Sequence, residues 1–393
     1  MRSSATLPDV SAPSLVLTHP TPEEKKKTWA LHHTMWGQAL SLEDYLHREE
    51  YLTTVPLAKD GGVTHWILTD DSPPNQRPIL SSCESLRKRA LVCQAGVDGG
   101  KVQDAIGHGI FSVFTDPQYR GKGYASRMMK ELNPTLARWP PAGSKDVNGH
   151  AMPNSRFSVL YSDIGKAFYA KSGWAPFESS HLAFPPVARA EGGSVSGAAK
   201  PLGYHELAEL CAVDEKLLRI RVQKRAHESK DGRPSAALVP DLDQMLWHLM
   251  REDFMTKRIF GKTPTIRGAV YGEAGKRLWA VWIRGYYGGI DKVEGNTLFI
   301  LRFAVEDETA SEDYLAEGFR SVIEVAQAEA AEWRIQEAQM WNPTPLLRQV
   351  VAKAGLQHEF VDRDTESIAS LAWYGEAQTS DIDWVANEKF GWC

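Results

Sequence analysis

The sequence predicts an α/β (α+β) protein with a mixed, mostly antiparallel central sheet flanked by helices, built as two tandem copies of one fold. Each half of the 393-residue chain shows the same order of patterns: an apolar strand pair, an amphipathic helix, a strand, a short helix and a last strand. The segment PPVARAEGGSVSGAAKPLG lies between the halves and has little to bury. We therefore expect one domain over residues 1–187, a linker over 188–203, and a second domain over 204–393 whose tail, 376–393, folds back.

The first half begins with a strand predicted at Leu15–Leu17 and a helical segment that runs from Thr21 to Leu52, with Pro22 in its first turn. Three apolar segments then predict strands: THWILTD, ILSSCESLRKRALVC and GHGIFSVFT. After a glycine-rich turn, Met128, Met129 and Leu132 recur at helical spacing. RFSVLYSD predicts another strand, and IGKAFYAKSGW predicts a short helix that ends at Gly173.

The second half repeats this order without the glycine-rich turn. RLWAVWIRGYYGG and NTLFILRFAV predict a strand pair, and a long helix follows from about Ser311. AQMWN predicts a strand, PLLRQVVAKAG a helix that ends at Gly355, and SIASLAWYG the last strand. Because the turn is missing, we expect only the first half to bind a phosphate-bearing ligand.

Composition excludes several classes of function. The net charge is −5 and the chain has no long basic block, so we expect no nucleic-acid partner. No apolar run is long enough to span a bilayer, so we expect no membrane partner. The four cysteines are scattered, which argues against a zinc site or disulfide framework and favours a cytoplasmic protein. His32 and His33 face different sides of a helix, so no metal is expected there. The sequence indicates no particular oligomeric state.

The stretch QYRGKGYA, residues 118–125, places two glycines between a strand and a helix, as phosphate-binding turns do. A Walker A loop does not fit, because GKT at Gly261–Thr263 has Thr256 where the first glycine is required. A dinucleotide fingerprint also fails, because Ser126 holds its third glycine position. A pyrophosphate must approach several successive backbone N–H groups, and a side chain at Gly121 or Gly123 would block that approach.

The motif [QR]-x-x-G-x-[GA], matched from Gln118 to Gly123, resembles the acetyl-coenzyme-A (acetyl-CoA) loop of the GNAT acyltransferase superfamily. The resemblance implies the GNAT fold and acetyl-CoA as cosubstrate. It also implies a set of residues on the strand, turn and helix start that bind the coenzyme: Phe111, Val113, Phe114, Gln118, Arg120, Gly121, Lys122, Gly123, Tyr124 and Ala125.

A second motif lies downstream, in LYSDIGKAFYAKSGW. Its pattern FY-x-K-x-G-[FW] resembles the next GNAT signature, in which a tyrosine hydroxyl lies near the coenzyme sulfur. The resemblance implies that Tyr169 is the catalytic acid that protonates the departing thiolate. Packing in the core is the alternative for this tyrosine.

A closer resemblance covers both halves. SSCESLRKRALV, the two motifs above and the tail SLAWYG…DIDWVANEKFGWC resemble the fungal lysine N6-acetyltransferases of lysine degradation. That family implies acetyl transfer from acetyl-CoA to the side-chain amine of free L-lysine, by direct attack on the thioester. The expected partner is therefore a small-molecule amine.

The acceptor amine must lose a proton before it attacks, which costs a lysine side chain about 4 kcal/mol at neutral pH. The sequence leaves five candidates for the base that accepts this proton: His108, Asp104, Glu43, Asp163 and the terminal carboxylate of Cys393. The aromatic tail that ends at Cys393 either enters a pocket or packs on the surface. Backbone N–H groups near Val113 are expected to stabilise the oxyanion.

Three residues are expected to contact the acceptor: Trp36, His108 and Cys393. Trp36 lies with Trp29 and Tyr45 on the helical segment that forms the substrate wall in the GNAT fold, where they could enclose an aliphatic amine; packing in the core is the alternative for these three residues. Other functions compete with this one. They are a detoxifying N-acetyltransferase for an amine-bearing drug or toxin, a protein-modifying acetyltransferase, and an inactive CoA-binding regulator. The intact segment around Tyr169 argues against the regulator.

Overall fold

The structure is a computed structural model that describes residues 7–141, 143–188, 199–289 and 292–393. Within these residues the chain forms two mixed, mostly antiparallel sheets with helices on their faces, which confirms the predicted fold class. Residues 189–198 of the predicted linker lie outside the described part, and its last residues form an edge strand.

The helices of the described residues are α1 Pro22–Trp36, α2 Leu42–Leu52, α3 Tyr124–Leu136, α4 Ala167–Ala170, α5 Leu207–Glu228, α6 Leu242–Phe260, α7 Glu312–Glu332 and α8 Pro345–Ala354. The strands are β1 Val16–Thr18, β2 Val63–Thr69, β3 Ser81–Cys93, β4 Gln103–Phe114, β5 Ser155–Ser162, β6 Ala175–Pro176, β7 Ser180–Phe184, β8 Lys200–Leu202, β9 Ser235–Leu238, β10 Gly268–Tyr271, β11 Leu278–Tyr286, β12 Asn296–Val305, β13 Glu337–Trp341, β14 Glu359–Asp362, β15 Ile368–Trp373 and β16 Asp383–Trp384.

The helical segment predicted from Thr21 to Leu52 is two helices, because the chain turns at Gly37. A β-carbon at Gly37 would lie 2.3 Å from the His33 ring and 2.6 Å from the Tyr45 ring, so only glycine fits. Thr21 caps α1 in a capping box with Glu24. The break lets α1 and α2 pack against each other.

The two sheets have the same strand order. The first sheet runs β1-β2-β3-β4-β5-β15-β6, with β9 beside β3 and β16 beside β9. The second sheet, read from its other edge, runs β8-β10-β11-β12-β13-β7-β14. In each sheet one long central strand runs parallel to the next, β4 with β5 and β12 with β13. The order therefore matches strand for strand.

One strand is exchanged between the halves. Strand β7, from the first half, lies between β13 and β14 of the second sheet. Strand β15, from the second half, lies between β5 and β6 of the first sheet. The sheets therefore do not follow the sequence boundary at residues 188–203, because each half supplies a strand to the other sheet.

The cores follow the two sheets. Helix α3 packs its buried stripe, including Met128, Met129 and Leu132, against the first sheet. Helix α7 does the same on the second sheet with Phe319, Val322 and other residues. A third cluster joins the halves between the sheets. No helix among the described residues is long and apolar enough to cross a lipid bilayer.

Candidate active site

Strands β4 and β5 separate at the centre of the first sheet. Their parallel pairing ends at Ile110 and Leu160, whereas β4 continues to Phe114. Between the pairs Glu84–Phe111 and Ser82–Phe114, β4 carries an extra residue relative to β3, and Ser112 adopts φ +52°. A bulge of this kind bends the strand and redirects its peptide groups. The separation opens a cleft beside the bulge.

The glycine turn lies at the end of this cleft. Gly121 and Gly123 adopt φ +77° and +84°, which glycine reaches without strain. Gly123 is the N-cap of α3, and no side chain caps this helix end. A β-carbon at Gly121 would meet nothing within 4 Å, so its backbone faces open space. The turn therefore offers main-chain N–H groups and a positive helix end to an anion.

A cavity of about 650 Å³, the larger cavity, extends from the glycine turn along the cleft. It is lined by Met35, Trp36, Ile110, Phe111, Ser112, Val113, Phe114, Thr115, Tyr119, Arg120, Gly121, Gly123, Tyr124, Ala125, Ser126, Leu160, Tyr161, Asp163, Ile164, Phe168 and Tyr169. Most of the residues expected to bind the coenzyme lie on this wall. Gln118 and Lys122 do not. The Gln118 side chain donates to Asp116 instead, at 3.1 Å, and Lys122 is exposed.

The guanidinium of Arg120 makes its contacts with Thr115 and Phe114, before the glycine turn in the chain. Its Nε donates to the Thr115 carbonyl at 3.1 Å, and its guanidinium lies 5.5 Å from the centre of the Phe114 ring. The main-chain groups of the turn, and not this side chain, therefore form the innermost surface for an anion.

Tyr169 is buried on α4 and lines the larger cavity beside Phe168, whose ring lies 4.9 Å away edge-on. Burial raises the pKa of its phenol well above the ordinary value, with a smaller contribution from Cys83. The phenol is therefore protonated at neutral pH and can act as a proton donor.

A second cavity of about 100 Å³, the aromatic cavity, meets the larger one at the bulge. It is lined by Trp36, Tyr45, Arg48, Glu49, Leu52, Ile110, Phe111, Ser112, Tyr161, Asp163, Trp247, Arg251, Tyr287, Trp392 and Cys393. Trp36, Ile110, Phe111, Ser112, Tyr161 and Asp163 line both cavities. Two ligands bound in the two cavities would therefore meet at Ser112.

The C-terminal tail closes one wall of the aromatic cavity. Lys88 Nζ donates to the carbonyl of Gly391 at 2.7 Å and to that of Trp392 at 3.2 Å. A β-carbon at Gly109 would lie 2.3 Å from Cys393 Sγ, so this glycine makes room for the tail beside β4. Burial raises the pKa of the Cys393 thiol. Cys393 and Trp36, two of the three residues expected to contact the acceptor, both line the aromatic cavity.

Other expected residues lie elsewhere. His108 is buried on the face of β4 opposite to Gly109 and the tail, where its Nε2 is 3.0 Å from the Trp139 carbonyl. Burial lowers the pKa of His108 to about 4. It lines neither of the two cavities. Asp104 forms an ion pair with Arg219 at the surface, and Glu43 lies in the exposed first turn of α2. Of the side chains proposed as the base, Asp163 lies at the junction of the cavities.

A carboxylate that the sequence did not single out, Glu84, lies directly behind the bulge opposite Phe111. Burial favours its protonated form, but the pKa is lowered to about 2 because His65 lies 3.2 Å away and the Trp29 indole donates to it at 2.9 Å. Such a weak base is poorly matched to an amine at neutral pH. We assign Glu84 to anchoring α1 and β2 against the bulge.

Several residues of the aromatic cavity were also missed. Among them, Trp247 and Arg251 on α6 and Tyr287 after β11 come from the second half. Arg48 and Glu49 on α2 were missed as well. One sequence signal was present, because these two charged residues occupy the stripe that α2 otherwise buries with Tyr45 and Leu52. No cluster of three His, Cys, Asp or Glu placed to hold a metal ion occurs in the described ranges.

The separated parallel strands, the glycine turn at a helix start and the adjoining cavities define an acyltransferase of the GNAT type. The family model for the LYC1 GNAT-like C-terminal domain matches residues 181–393, which is more than half of the chain. The chain therefore belongs to this GNAT family.

Relatives of known sequence are similar over most of the chain. A protein of Yarrowia lipolytica called lysine acetyltransferase is 28% identical over 300 residues, which cover 68% of this chain and 71% of that protein. The uncharacterized protein YGR111W of Saccharomyces cerevisiae is 22% identical over 405 residues, 94% of this chain and 96% of that protein.

A solved structure shares the fold. The crystal structure of Saccharomyces cerevisiae N-myristoyltransferase with bound myristoyl-CoA superposes with a TM-score of 0.50 at 10% identity, and the match covers 96% of this chain and 82% of that chain. At this identity the similarity supports the fold alone.

Proposed function

We propose that this protein transfers the acetyl group of acetyl-CoA to the N6 amine of free L-lysine. The observation that carries the proposal is the junction of the two cavities at Ser112. One cavity begins at an uncapped helix end that suits a diphosphate, and the other is a narrow aromatic cavity that suits an aliphatic chain. The similarity to a lysine acetyltransferase supports the choice of acceptor.

The chain offers a site for the diphosphate of the coenzyme in the main-chain N–H groups of the glycine turn and the first turn of α3. The positive φ of Gly121 and Gly123 fits this assignment, because no other residue type holds that turn without strain. Acetyl-CoA would supply an activated acetyl thioester. Phe111, Val113 and Phe114 would keep water from the reacting end of the cleft.

Three groups of the chain then have separate tasks. The peptide N–H groups at the bulge, near Val113, stabilise the negative charge on the attacked carbonyl oxygen. Asp163, which lines both cavities, would accept the amine proton directly or through water. Tyr169, held neutral by burial, delivers a proton to the leaving sulfur.

The aromatic cavity has a volume of about 100 Å³ and is lined by seven aromatic side chains, which favours a slender amine over an aminoglycoside-like drug. This supports lysine acetylation over detoxification. The test is a thiol-release assay with acetyl-CoA against free amino acids, polyamines and aminoglycosides. We expect L-lysine to give the highest kcat/KM, with the product acetylated at N6 by mass spectrometry. A better aminoglycoside substrate, or no transfer to any amine, would overturn the proposal.

A further inference from the structure

The cations around the aromatic cavity differ in whether they already have a partner. Arg48 is paired with Glu49, to which its Nε donates at 2.9 Å. Lys88 is bonded to two carbonyl groups of the tail. Arg251, which lines the cavity from α6, makes no hydrogen bond or ion pair with any residue that the structure describes. Its guanidinium lies 5.3 Å from the centre of the Trp392 ring.

Three other arginines of the second half are paired with carboxylates of the chain. The neighbouring carboxylate, Glu252, is already bonded to Arg267 and to Arg284. Elsewhere in the second half, Arg302 is held by Asp214 and Glu388. Arg267, Arg284 and Arg302 therefore have carboxylates supplied by the chain, whereas Arg251 has only an aromatic face beside it. Stacking on a ring fixes the plane of a guanidinium and leaves its edge free for a carboxylate.

The position of Arg251 sets the direction in which an acceptor would lie. At one end, the aromatic cavity shares Ser112 and Asp163 with the larger cavity. Toward the other, it shares Trp36, Arg48, Arg251, Tyr287 and Trp392 with a third cavity of about 30 Å³ between α6 and β11. The reacting amine belongs at the first end. Whatever group the acceptor carries at its opposite end therefore comes near Arg251.

We propose that Arg251 binds the α-carboxylate of an amino-acid acceptor and so selects amino acids over simple diamines. This inference rests on the proposed function, because it takes the aromatic cavity as the acceptor site. A planar guanidinium binds a carboxylate through two parallel hydrogen bonds, which an amide or a methylene group cannot accept in the same way. Glu49 neutralises Arg48, which leaves Arg251 as the free guanidinium among the described residues of this cavity.

The test compares Arg251→Met with the wild type on two acceptors, L-lysine and L-lysinamide, in the thiol-release assay. The second acceptor has the same shape without the carboxylate, and mass spectrometry confirms N6 as the modified position. We expect KM for L-lysine to rise roughly 10- to 100-fold in the variant, as the loss of a charge-assisted pair predicts, with less than about a twofold change for L-lysinamide. Arg251→Lys should recover part of the discrimination.

Arg258→Met is the matched control. Arg258 lies on the same helix, half exposed and paired with Asp44, and lines none of the three cavities. It should leave both KM values unchanged. Calorimetry with CoA shows whether Arg251→Met is folded, because the larger cavity does not include this residue. Equal rises of KM for both acceptors, or none for L-lysine, would overturn the role of Arg251. A wild type that acetylates both acceptors equally well would also overturn it, while leaving the proposed function standing.

Discussion

The two halves contain the same pair of separating parallel strands, but the space between the strands differs. In the first half, β4 and β5 part at Ile110 and the space beyond belongs to a cavity of about 650 Å³. In the second half, β12 and β13 part at Ile300, and the side chain of Glu388 from the tail occupies the space. Its carboxylate accepts the N–H of Phe303 at 3.1 Å and pairs with Arg302.

The helices that follow the two clefts, α3 and α7, also differ in whether their N-termini are capped by a side chain. Gly123 leaves the N-terminus of α3 without a side-chain cap and without an acidic residue in the first turn. Ser311 caps α7 by accepting the Tyr314 N–H, and Glu312 and Asp313 follow in its first turn. The second helix end is therefore already neutralised by its own sequence, whereas the first remains available to an external anion.

The comparison also supports the oxyanion assignment. Phe303 lies three residues beyond the last parallel pair of its strand, as Val113 does beyond Ile110. In the second half the chain places a carboxylate oxygen on the Phe303 N–H. The corresponding N–H in the first half would meet the developing negative charge of the reaction. If the proposed oxyanion site is correct, corresponding N–H groups of the two halves bind different anions: a carboxylate of the chain in the second half and the reacting oxygen in the first.

The largest expected effect comes from filling the open turn. Gly123→Glu puts a negative charge at the helix end where the main chain would meet a diphosphate, at a residue with φ +84° whose β-carbon would lie 3.3 Å from Val10. We expect CoA affinity to fall roughly a thousandfold, as the loss of two charge-assisted hydrogen bonds predicts. Isothermal calorimetry measures the change. Gly355→Glu, which has φ +68° at the end of α8, carries the same backbone strain and should bind CoA normally. Unchanged affinity for Gly123→Glu would refute the diphosphate site.

The next largest effect is expected when Glu388, whose side chain fills the cleft of the second half, is removed. Glu388→Ala leaves Arg302 buried with only Asp214, and we expect it to lower the free energy of unfolding by about 3–5 kcal/mol. Because the tail carries Trp392 and Cys393, KM for the acceptor should rise while CoA affinity stays the same. Denaturant unfolding and calorimetry report the two quantities. Glu312→Ala, which removes an exposed partner of Lys353, should cost less than about 1 kcal/mol. A similarly small loss for Glu388→Ala would mean that the tail is not held by this pair.

A smaller effect is expected when the proposed catalytic acid, Tyr169, is replaced. Tyr169→Phe keeps the ring that packs beside Phe168 but removes the proton donor. We expect kcat to fall about 100-fold, a typical contribution of general acid catalysis, with CoA affinity unchanged. Steady-state kinetics with calorimetry separate the two. An unaltered kcat would dismiss the role of Tyr169 and leave it a packing residue.

The smallest effect concerns pH. His108 lies two residues before Ile110, the position that Leu298 holds before Ile300. Burial lowers the pKa of His108 from 6.5 to about 4, so the unfolded chain binds a proton that the folded chain excludes. Stability is therefore lost as pH falls below 6.5, and His108 accounts for about 2 kcal/mol of the loss between pH 7 and pH 5.

The substitution His108→Leu, which copies the second half, should remove this part of the pH dependence. It should also cost about 1 kcal/mol at pH 7 through the lost bond to Trp139. Urea unfolding at a series of pH values measures both. His358→Leu, at an exposed histidine, should leave the slope as in the wild type. An unchanged slope for His108→Leu would show that His108 is not a source of the acid sensitivity.

Much of the fold could be predicted from sequence because its elements carry strong periodic patterns. The stripe on α7, its start at Ser311 and the end of α8 at Gly355 agree with the structure. The exchange of β7 and β15 could not be predicted, because short apolar strands such as SHLAF and IASLAW do not encode which sheet edge they join. The break at Gly37 was missed because helix-favouring residues flank it.

For the site, the sequence identified the glycine turn because its chemistry is local. Gly121, Gly123 and the start of α3 are consecutive in the chain. The aromatic cavity is different, since α2, α6 and the tail meet there only after the halves have folded together. Arg251 and Trp247 had no neighbours in sequence that marked them. Residues drawn from distant segments could be located only in the folded molecule.

The exchange of β7 and β15 has a consequence for how the protein is made. Strand β15, at Ile368–Trp373, is the neighbour that covers the edge of β5. Until the ribosome has released this stretch, the nascent N-terminal half exposes a bare strand edge, which is a template for aggregation. The first sheet is therefore completed only after Ile368–Trp373 has been synthesised, and a premature stop codon anywhere before Ile368 would leave an incomplete sheet for chaperones and proteases to clear.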